Sequence, residues 1–257
     1  MDEFRVAIPL APVRAAPSYS AMYTSEALYG EKVSLLKAKG DWMLISQQQD
    51  GYQGYIHAGA LQSCEPQEGK SIYSPTHWIS QSSTLLFKNA DLKSPVIHRI
   101  PFASELSLTT LPDSSFSQTS CGFFVWSDHC LPVNKPIDID PLNLAKDYFL
   151  GMPYLWGGRS PAGADCSGLI QLLARSQGLS IPRDSGDQES FLKHQIPWDK
   201  RQSMDIVYWP GHTGILLDAN TLLHATAFSL SCIIEPLADV VLRAGEASSV
   251  RRLFTFS

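Results

Sequence analysis

The chain has 257 residues, of which 44% are hydrophobic and 18% charged, and its net charge is −5. That apolar content is enough to build cores and excludes disorder as the dominant state, and the length allows one to three domains. A negative net charge leaves no basic excess to neutralise a phosphate backbone, which argues against a nucleic-acid partner.

The N-terminus, Met1-Asp2-Glu3-Phe4-Arg5, is mixed in charge, and Pro9 and Pro12 interrupt the stretch after it. It lacks the basic start and unbroken apolar stretch of a secretory signal, and no later run of about 18 apolar residues would span a bilayer. A cytoplasmic protein without a membrane partner is expected. Residues 1–135 read as β: apolar runs 32–36, 42–45 and 54–56 are separated by Lys39-Gly40-Asp41 and Gln49-Asp50-Gly51, and Asp-Gly between apolar runs is a hairpin signal. Strands this short and frequent suggest a small barrel over residues 1–68. The same rhythm returns at 85–87, 105–108 and 122–126, which gives a second, divergent barrel over 69–135. The polar segment 64–70 is read as a linker, and Pro132, Pro136 and Pro141 mark another.

Beyond residue 136 the pattern changes. Leu144, Ala145, Tyr148 and Phe149 recur at helical spacing over 143–150. A second helix is predicted over 166–177, with Leu169, Ile170, Leu172, Leu173 and Ala174 on its inner face and Gly178 as its stop. Ser185 or Asp187 opens a third helix through Phe191 and Leu192. Strands come next at 205–209, 213–217 and 222–226. The last part, 136–257, is therefore α+β, with helices first and an antiparallel sheet after.

The five cysteines, Cys64, Cys121, Cys130, Cys166 and Cys232, are odd in number and irregularly spaced, unlike a disulfide framework. Cys121 and Cys130 are spaced to pair across a hairpin, but buried thiols are the expectation for all except Cys166. No C-x-x-C pair occurs, and neither a metal nor an organic cofactor is expected.

Cys166 stands apart because a Gly- and Pro-rich loop, 154–165, delivers it to the start of an amphipathic helix. Unpaired N–H groups and the helix dipole there favour a negative charge, so a lowered thiol pKa and a nucleophilic thiolate are expected. A cysteine nucleophile needs a base. His212 and His224 flank a turn centred near Ala219, which puts them on one face of the ladder, and a one-residue slip would separate them. The arrangement reads as a triad in which Cys166 attacks, His212 takes the proton and His224 orients His212.

Asp165-Cys166-Ser167-Gly168, the upstream Tyr154-x-Trp-Gly-Gly, Gly211-His212-Thr213-Gly214-Ile215 and Leu223-His224-Ala225 resemble the motifs of the NlpC-type papain-like cysteine peptidases. Pro182-Arg183-Asp184-Ser185-Gly186-Asp187-Gln188 resembles the subgroup that cleaves γ-D-glutamyl-L-diamino acid bonds in peptidoglycan peptides. In that subgroup bacterial SH3-like domains precede the catalytic domain, and Asp50-Gly51-Tyr52-Gln53-Gly54-Tyr55-Ile56 looks like part of one. The fold implied is multidomain: two small all-β SH3-like barrels followed by an α+β papain-like catalytic domain.

The resemblance implies that Cys166 is the nucleophile, His212 the base, His224 the third polar member, and the Tyr154 hydroxyl with the Cys166 backbone N–H the oxyanion donors. It places Asp165 and Ser167 with the substrate, has Asp184 and Ser185 hold a free amino terminus, and offers Tyr52 and Glu26 of the first barrel as further substrate contacts. Family members often carry Gly-Asp where this chain has Met204-Asp205. The activity implied is cleavage of L-Ala-γ-D-Glu-diamino acid peptides after D-Glu, with release of L-Ala-D-Glu from recycled wall peptides. The alternatives are an amidase or acyltransferase of the same fold, and an inert wall-binding protein.

Overall fold

The computed structural model describes residues 2–64 and 73–254, so all of the expected 64–70 linker except Cys64 lies outside the described residues. The chain divides into two compact units, Met1–Ile137 and Asp138–Ser257.

In the first unit a seven-stranded antiparallel sheet runs in the order Tyr23–Leu28, Leu10–Arg14, Gln53–His57, Trp42–Gln47, Lys32–Lys39, Glu3–Val6 and Leu61–Ser63. Val6, Val13, Val33, Ile45 and Ile56 alternate inward from five of these strands and form one small core. Leu10–Arg14 forms despite Pro12, because its pairing with Gln53–His57 is confined to Arg14 and Tyr55 and the proline removes no ladder donor there. Residues 77–132 add a five-stranded sheet (Val96–Pro101, Ser83–Phe87, Phe124–Trp126, Phe116–Thr119, Leu108–Thr110) and a three-stranded one (Glu105–Leu106, His77–Ile79, Cys130–Pro132). Their core of Ile79, Leu86, Ile100, Leu106 and Val125 also takes in Tyr29 from the first sheet's segment. The Glu105 N–H donates to the Tyr29 carbonyl, and the Tyr73 hydroxyl donates to the carbonyls of Gly30 and Glu105. These shared contacts explain why residues 1–137 cluster as one unit.

Among its described residues the second unit carries four α-helices: α1 (Pro141–Tyr148), α2 (Cys166–Ser176), α3 (Ser185–Phe191) and α4 (Leu237–Ala244). Asp140 caps α1 by accepting from the N–H groups of Leu142 and Asn143, and Pro141 occupies the first turn, where no N–H is needed. A six-stranded antiparallel sheet has the order Gln195–Ile196, Ser249–Arg252, Asp205–Trp209, His212–Asp218, Thr221–Thr226 and Ser231–Pro236. The inner face of α2 is buried against the His212–Asp218 and Thr221–Thr226 strands. Leu237 and Val240 of α4 pack with Val207, Trp209, Leu216 and Leu222 of the sheet. No helix among the described residues is long and apolar enough to cross a membrane. All five cysteines are free; Cys64, Cys166 and Cys232 are buried, whereas Cys121 and Cys130 are partly exposed, contrary to the expectation of burial.

Candidate active site

Asp165 caps α2 and organises everything around Cys166. Its Oδ1 accepts from the Gly168 N–H at 2.8 Å and from Arg183 Nη1 at 2.9 Å, and its Oδ2 accepts from the Gly157 N–H at 2.8 Å and Arg183 Nη2 at 2.6 Å. Ser167 Oγ lies in the same network, donating to Asp165 Oδ1 at 3.3 Å and accepting from Arg183 Nη1 at 2.9 Å. Both side chains are buried and engaged within the protein. Their polar atoms tie the 157–165 loop and the 182–184 segment to the start of α2. Gly168 completes the junction, because a Cβ there would lie 2.2 Å from the Gly158 carbonyl oxygen.

Cys166 is only 6% exposed. Burial first, and the neighbouring Asp165 charge second, push its thiol up to about 11, against the opposing pull of the Thr213 and Ser167 backbone N–H groups and Arg183. The expected lowering at the helix N-terminus is thus reversed, because desolvation of the thiolate outweighs the backbone donors. The resting side chain is a thiol that must be deprotonated by a neighbour as it reacts. Thr213, whose N–H bears on the sulfur, follows His212 directly, so the sulfur lies against the start of the histidine strand.

His212 Nε2 and His224 Nδ1 are 2.7 Å apart. A bulge makes this contact. The hairpin closes with Asp218 opposite Thr221, and that register, continued unbroken, would pair His224 with Ile215 and turn the two histidines to opposite faces. The ladder shifts by one residue between Leu216 and Asp218, so that Leu216 pairs with Leu222 and Ile215 with Leu223. His224 then falls opposite Gly214, with His212 as its diagonal neighbour. A Cβ on Gly214 would lie 2.9 Å from His224 Cβ and from Leu222 side-chain carbons, so glycine leaves the room the ring needs.

The same diagonal continues onto the next strand. His224 Nε2 lies 2.7 Å from Glu235 Oε1, and Arg243, in the last turn of α4, forks onto the Glu235 carboxylate at 2.5 and 3.2 Å. His224 is fully buried. Burial lowers both histidines, His212 to about 4 with help from His224. Both are therefore neutral near pH 7. Tyr154 sits close enough to Cys166 and Asp165 that burial and those two groups raise its phenol, which keeps the hydroxyl a donor. Tyr154, Trp156, His212, Thr226, Phe228 and Arg243 line a cleft of about 270 Å³. Trp156 and Phe228 are largely exposed along it, and the Arg243 guanidinium stacks 4.1 Å from the Phe228 ring centroid. A neutral imidazole chain and a phenolic donor on one cleft, with a thiol against the residue that follows His212, can carry out nucleophilic acyl transfer.

Residues 151–242 match the NlpC/P60 family, and residues 13–61 match the bacterial dipeptidyl-peptidase Sh3 domain. Residues 151–242 form an NlpC/P60 cysteine peptidase domain. A Bacillus subtilis protein named gamma-D-glutamyl-L-lysine dipeptidyl-peptidase is 27% identical over 255 aligned positions, covering 90% of this chain and 81% of that protein. A Bacillus cereus protein of the same name is 26% identical over 240 positions, 83% of this chain and 70% of that one. The crystal structure of an NlpC/P60 family protein from Bacillus cereus has the same fold, with a TM-score of 0.82 at 20% identity over 97% of this chain and 99% of that one.

Asp184 and Ser185 stand at the start of α3 in this NlpC/P60 domain. Asp184 is exposed and makes no side-chain cap bond to its own helix. It is flanked by two anchors: Arg183 on Asp165, and Gln188, whose Nε2 donates to the carbonyls of Ser167 and Pro182. Both anchors hold the segment against the start of α2. Met204 has φ of +73°, a left-handed conformation that favours glycine. The adjacent Asp205 is fully buried and accepts from Arg252 at 2.7 and 2.9 Å.

Glu26 and Tyr52 lie in the SH3-like part. Glu26 is 2% exposed and accepts from the Tyr23 hydroxyl at 2.6 Å, and Tyr52 packs half-buried against that core, its N–H donating to Asp50.

Sequence reasoning missed Arg183, Glu235 and Arg243. The β-branched pair Ile233-Ile234 carries a strand signal, and one more antiparallel strand after the hairpin would have put Glu235 on the histidine face. Arg243 needed α4, whose Leu237, Val240 and Val241 recur at helical spacing.

Proposed function

We propose that the protein is a dipeptidyl-type cysteine peptidase that hydrolyses the bond between γ-D-Glu and the diamino acid in wall-derived peptides with a free N-terminal L-Ala, releasing L-Ala-D-Glu. The observation that carries the substrate assignment is the exposed Asp184 carboxylate, anchored by Arg183 and Gln188 beside the start of the Cys166 helix. A carboxylate there suits the ammonium of a short peptide. The names of the two Bacillus relatives and the match of residues 13–61 support the same reading.

In the mechanism, His212 Nδ1 takes the Cys166 proton as the sulfur attacks the γ-carbonyl carbon of D-Glu. The developing oxyanion accepts from the Tyr154 hydroxyl and the Cys166 N–H, donors that are each worth about 3 kcal/mol when aimed at a transition state. His212 then gives its proton to the departing α-amine of the diamino acid, which leaves a thioester on Cys166. Water, deprotonated by His212, attacks the thioester carbonyl, and the collapse frees L-Ala-D-Glu and returns the proton to sulfur.

Comparison of L-Ala-γ-D-Glu-L-Lys with its N-acetylated form tests the amine-recognition step. The native protein is expected to cut the free peptide and to fail on the acetylated one. Asp184→Ala is expected to raise KM for the free peptide by roughly 10–100-fold, the loss of a charge-assisted hydrogen bond of about 1.5–3 kcal/mol, with a smaller effect on kcat. Equal cleavage of both peptides by the native protein would remove Asp184 from substrate recognition and leave a peptidase of broader specificity. Acyl transfer to an added amine in place of hydrolysis would point to the transferase alternative.

A further inference from the structure

We propose that Glu235 is a positioning residue for hydrolysis: its carboxylate fixes the tautomers of His224 and His212 so that His212 presents an unprotonated Nδ1 to the Cys166 thiol. The proposal rests on the reading of Cys166 and His212 as nucleophile and base.

Arg243 forks onto Glu235 through both terminal nitrogens. Burial works against the charge of Glu235, but hydrogen bonds from Arg243 and His224 outweigh it and hold the carboxyl below its usual range. An ionised carboxylate only accepts. The 2.7 Å contact between Glu235 Oε1 and His224 Nε2 therefore requires the proton of His224 to be on Nε2. A neutral imidazole has one N–H, so His224 Nδ1 is an acceptor. Its 2.7 Å contact with His212 Nε2 then requires the proton of His212 to be on Nε2. One nitrogen remains, His212 Nδ1, and it carries a lone pair. Each proton position forces the next, and the first is set by Glu235.

Reversing the first bond reverses all of them. A donor at position 235 would put the His224 proton on Nδ1 and the His212 proton on Nδ1, where it blocks proton transfer from sulfur. When His212 does take the thiol proton, the Glu235 charge also stabilises the imidazolium across His224 without itself being protonated. Arg243 on α4 is the charged group that acts on this chain itself, and the groups around Cys166 beyond it are Asp165 and Arg183 at the start of α2, Tyr154 on the preceding loop and Tyr208 on the adjoining strand.

Two variants test the proposal. Glu235→Leu removes the acceptor, so nothing holds the His224 proton on Nε2, and hydrolysis of L-Ala-γ-D-Glu-L-Lys is expected to lose roughly 10²-fold in kcat with KM within about 3-fold. Glu235→Gln keeps an acceptor, because its amide oxygen at the Oε1 position accepts from both Arg243 Nη2 and His224 Nε2. Its kcat is expected to recover about 10-fold or more over Glu235→Leu. Its acid limb should lie at lower pH than the native one, because the charge that favours histidine protonation is gone. A purely structural role would leave the acid limb of Glu235→Gln in place. Native-like kcat in Glu235→Leu, or an unmoved acid limb in Glu235→Gln, would overturn the role of Glu235 alone. No hydrolysis by the native protein would overturn the Cys166–His212 reading, and this proposal with it.

Discussion

Asp165→Ala is expected to lower the thermal midpoint by about 10–20 °C, through a loss of about 3–5 kcal/mol. The change strands Arg183, whose side chain is 1% exposed, without its carboxylate partner, and breaking a buried pair from one side carries a cost of that size. It also removes the cap of α2 and the acceptor for the Gly157 N–H, and a lost cap alone typically costs about 1 kcal/mol. Activity should fall with folded fraction, because the loop that carries Tyr154 and the segment that carries Asp184 both hang on this carboxylate. Asp165→Asn keeps an acceptor for one N–H while losing the charge, so it should fall between the two. An unchanged midpoint with a raised KM in either variant would give Asp165 the role of substrate contact.

Gly214→Val is expected to cost about 1–3 kcal/mol in stability, and roughly 10²-fold in kcat. Glycine here is a matter of space: its φ is ordinary, but a Cβ would collide with His224 Cβ and Leu222 at 2.9 Å. His224 Cβ is fixed by its strand and the Leu222 side chain is fully buried, so the strands must part or His224 must turn. Overpacking of this kind costs a few kcal/mol, and a displacement of about 1 Å in a reacting group can cost 10²-fold in rate. The bond between His212 and His224 is the casualty, so kcat should fall while KM holds. A variant with native kcat and native midpoint would show that the histidine pair tolerates displacement, and would weaken the case that the bulge beyond Leu216 exists to set its register.

The local parts of this site were legible in the sequence. Asp165-Cys166-Ser167-Gly168 announces a capped helix start, and the runs at 205–209, 213–217 and 222–226 are strands within one residue of their observed ends. What escaped were consequences of tertiary contact. The thiol of Cys166 is set by burial and by the Asp165 charge, which oppose the local field of the helix. The buried pairing of Asp165 with Arg183 could not be read locally, because the two lie 18 positions apart and meet only when the 182–184 segment folds back onto α2. The face shared by His212 and His224 followed from a turn centred near Ala219, yet the closing pair is Asp218 with Thr221, and only the bulge returns the ladder to the register that brings the histidines together. Glu235 lay one strand beyond the last strand read. In the first unit, the Leu10–Arg14 strand was hidden by Pro12, whose missing N–H does no harm on a nearly unpaired side.

The most direct test of the account is product analysis by mass spectrometry after incubation of L-Ala-γ-D-Glu-L-Lys, and of its diaminopimelate counterpart, with the native protein and with Cys166→Ala. L-Ala-D-Glu and the free diamino acid are expected from the native protein, and intact peptide from Cys166→Ala with an unchanged thermal midpoint. Release of the same products by Cys166→Ala would contradict the assignment of the nucleophile, and the absence of L-Ala-D-Glu from both would contradict the proposed bond.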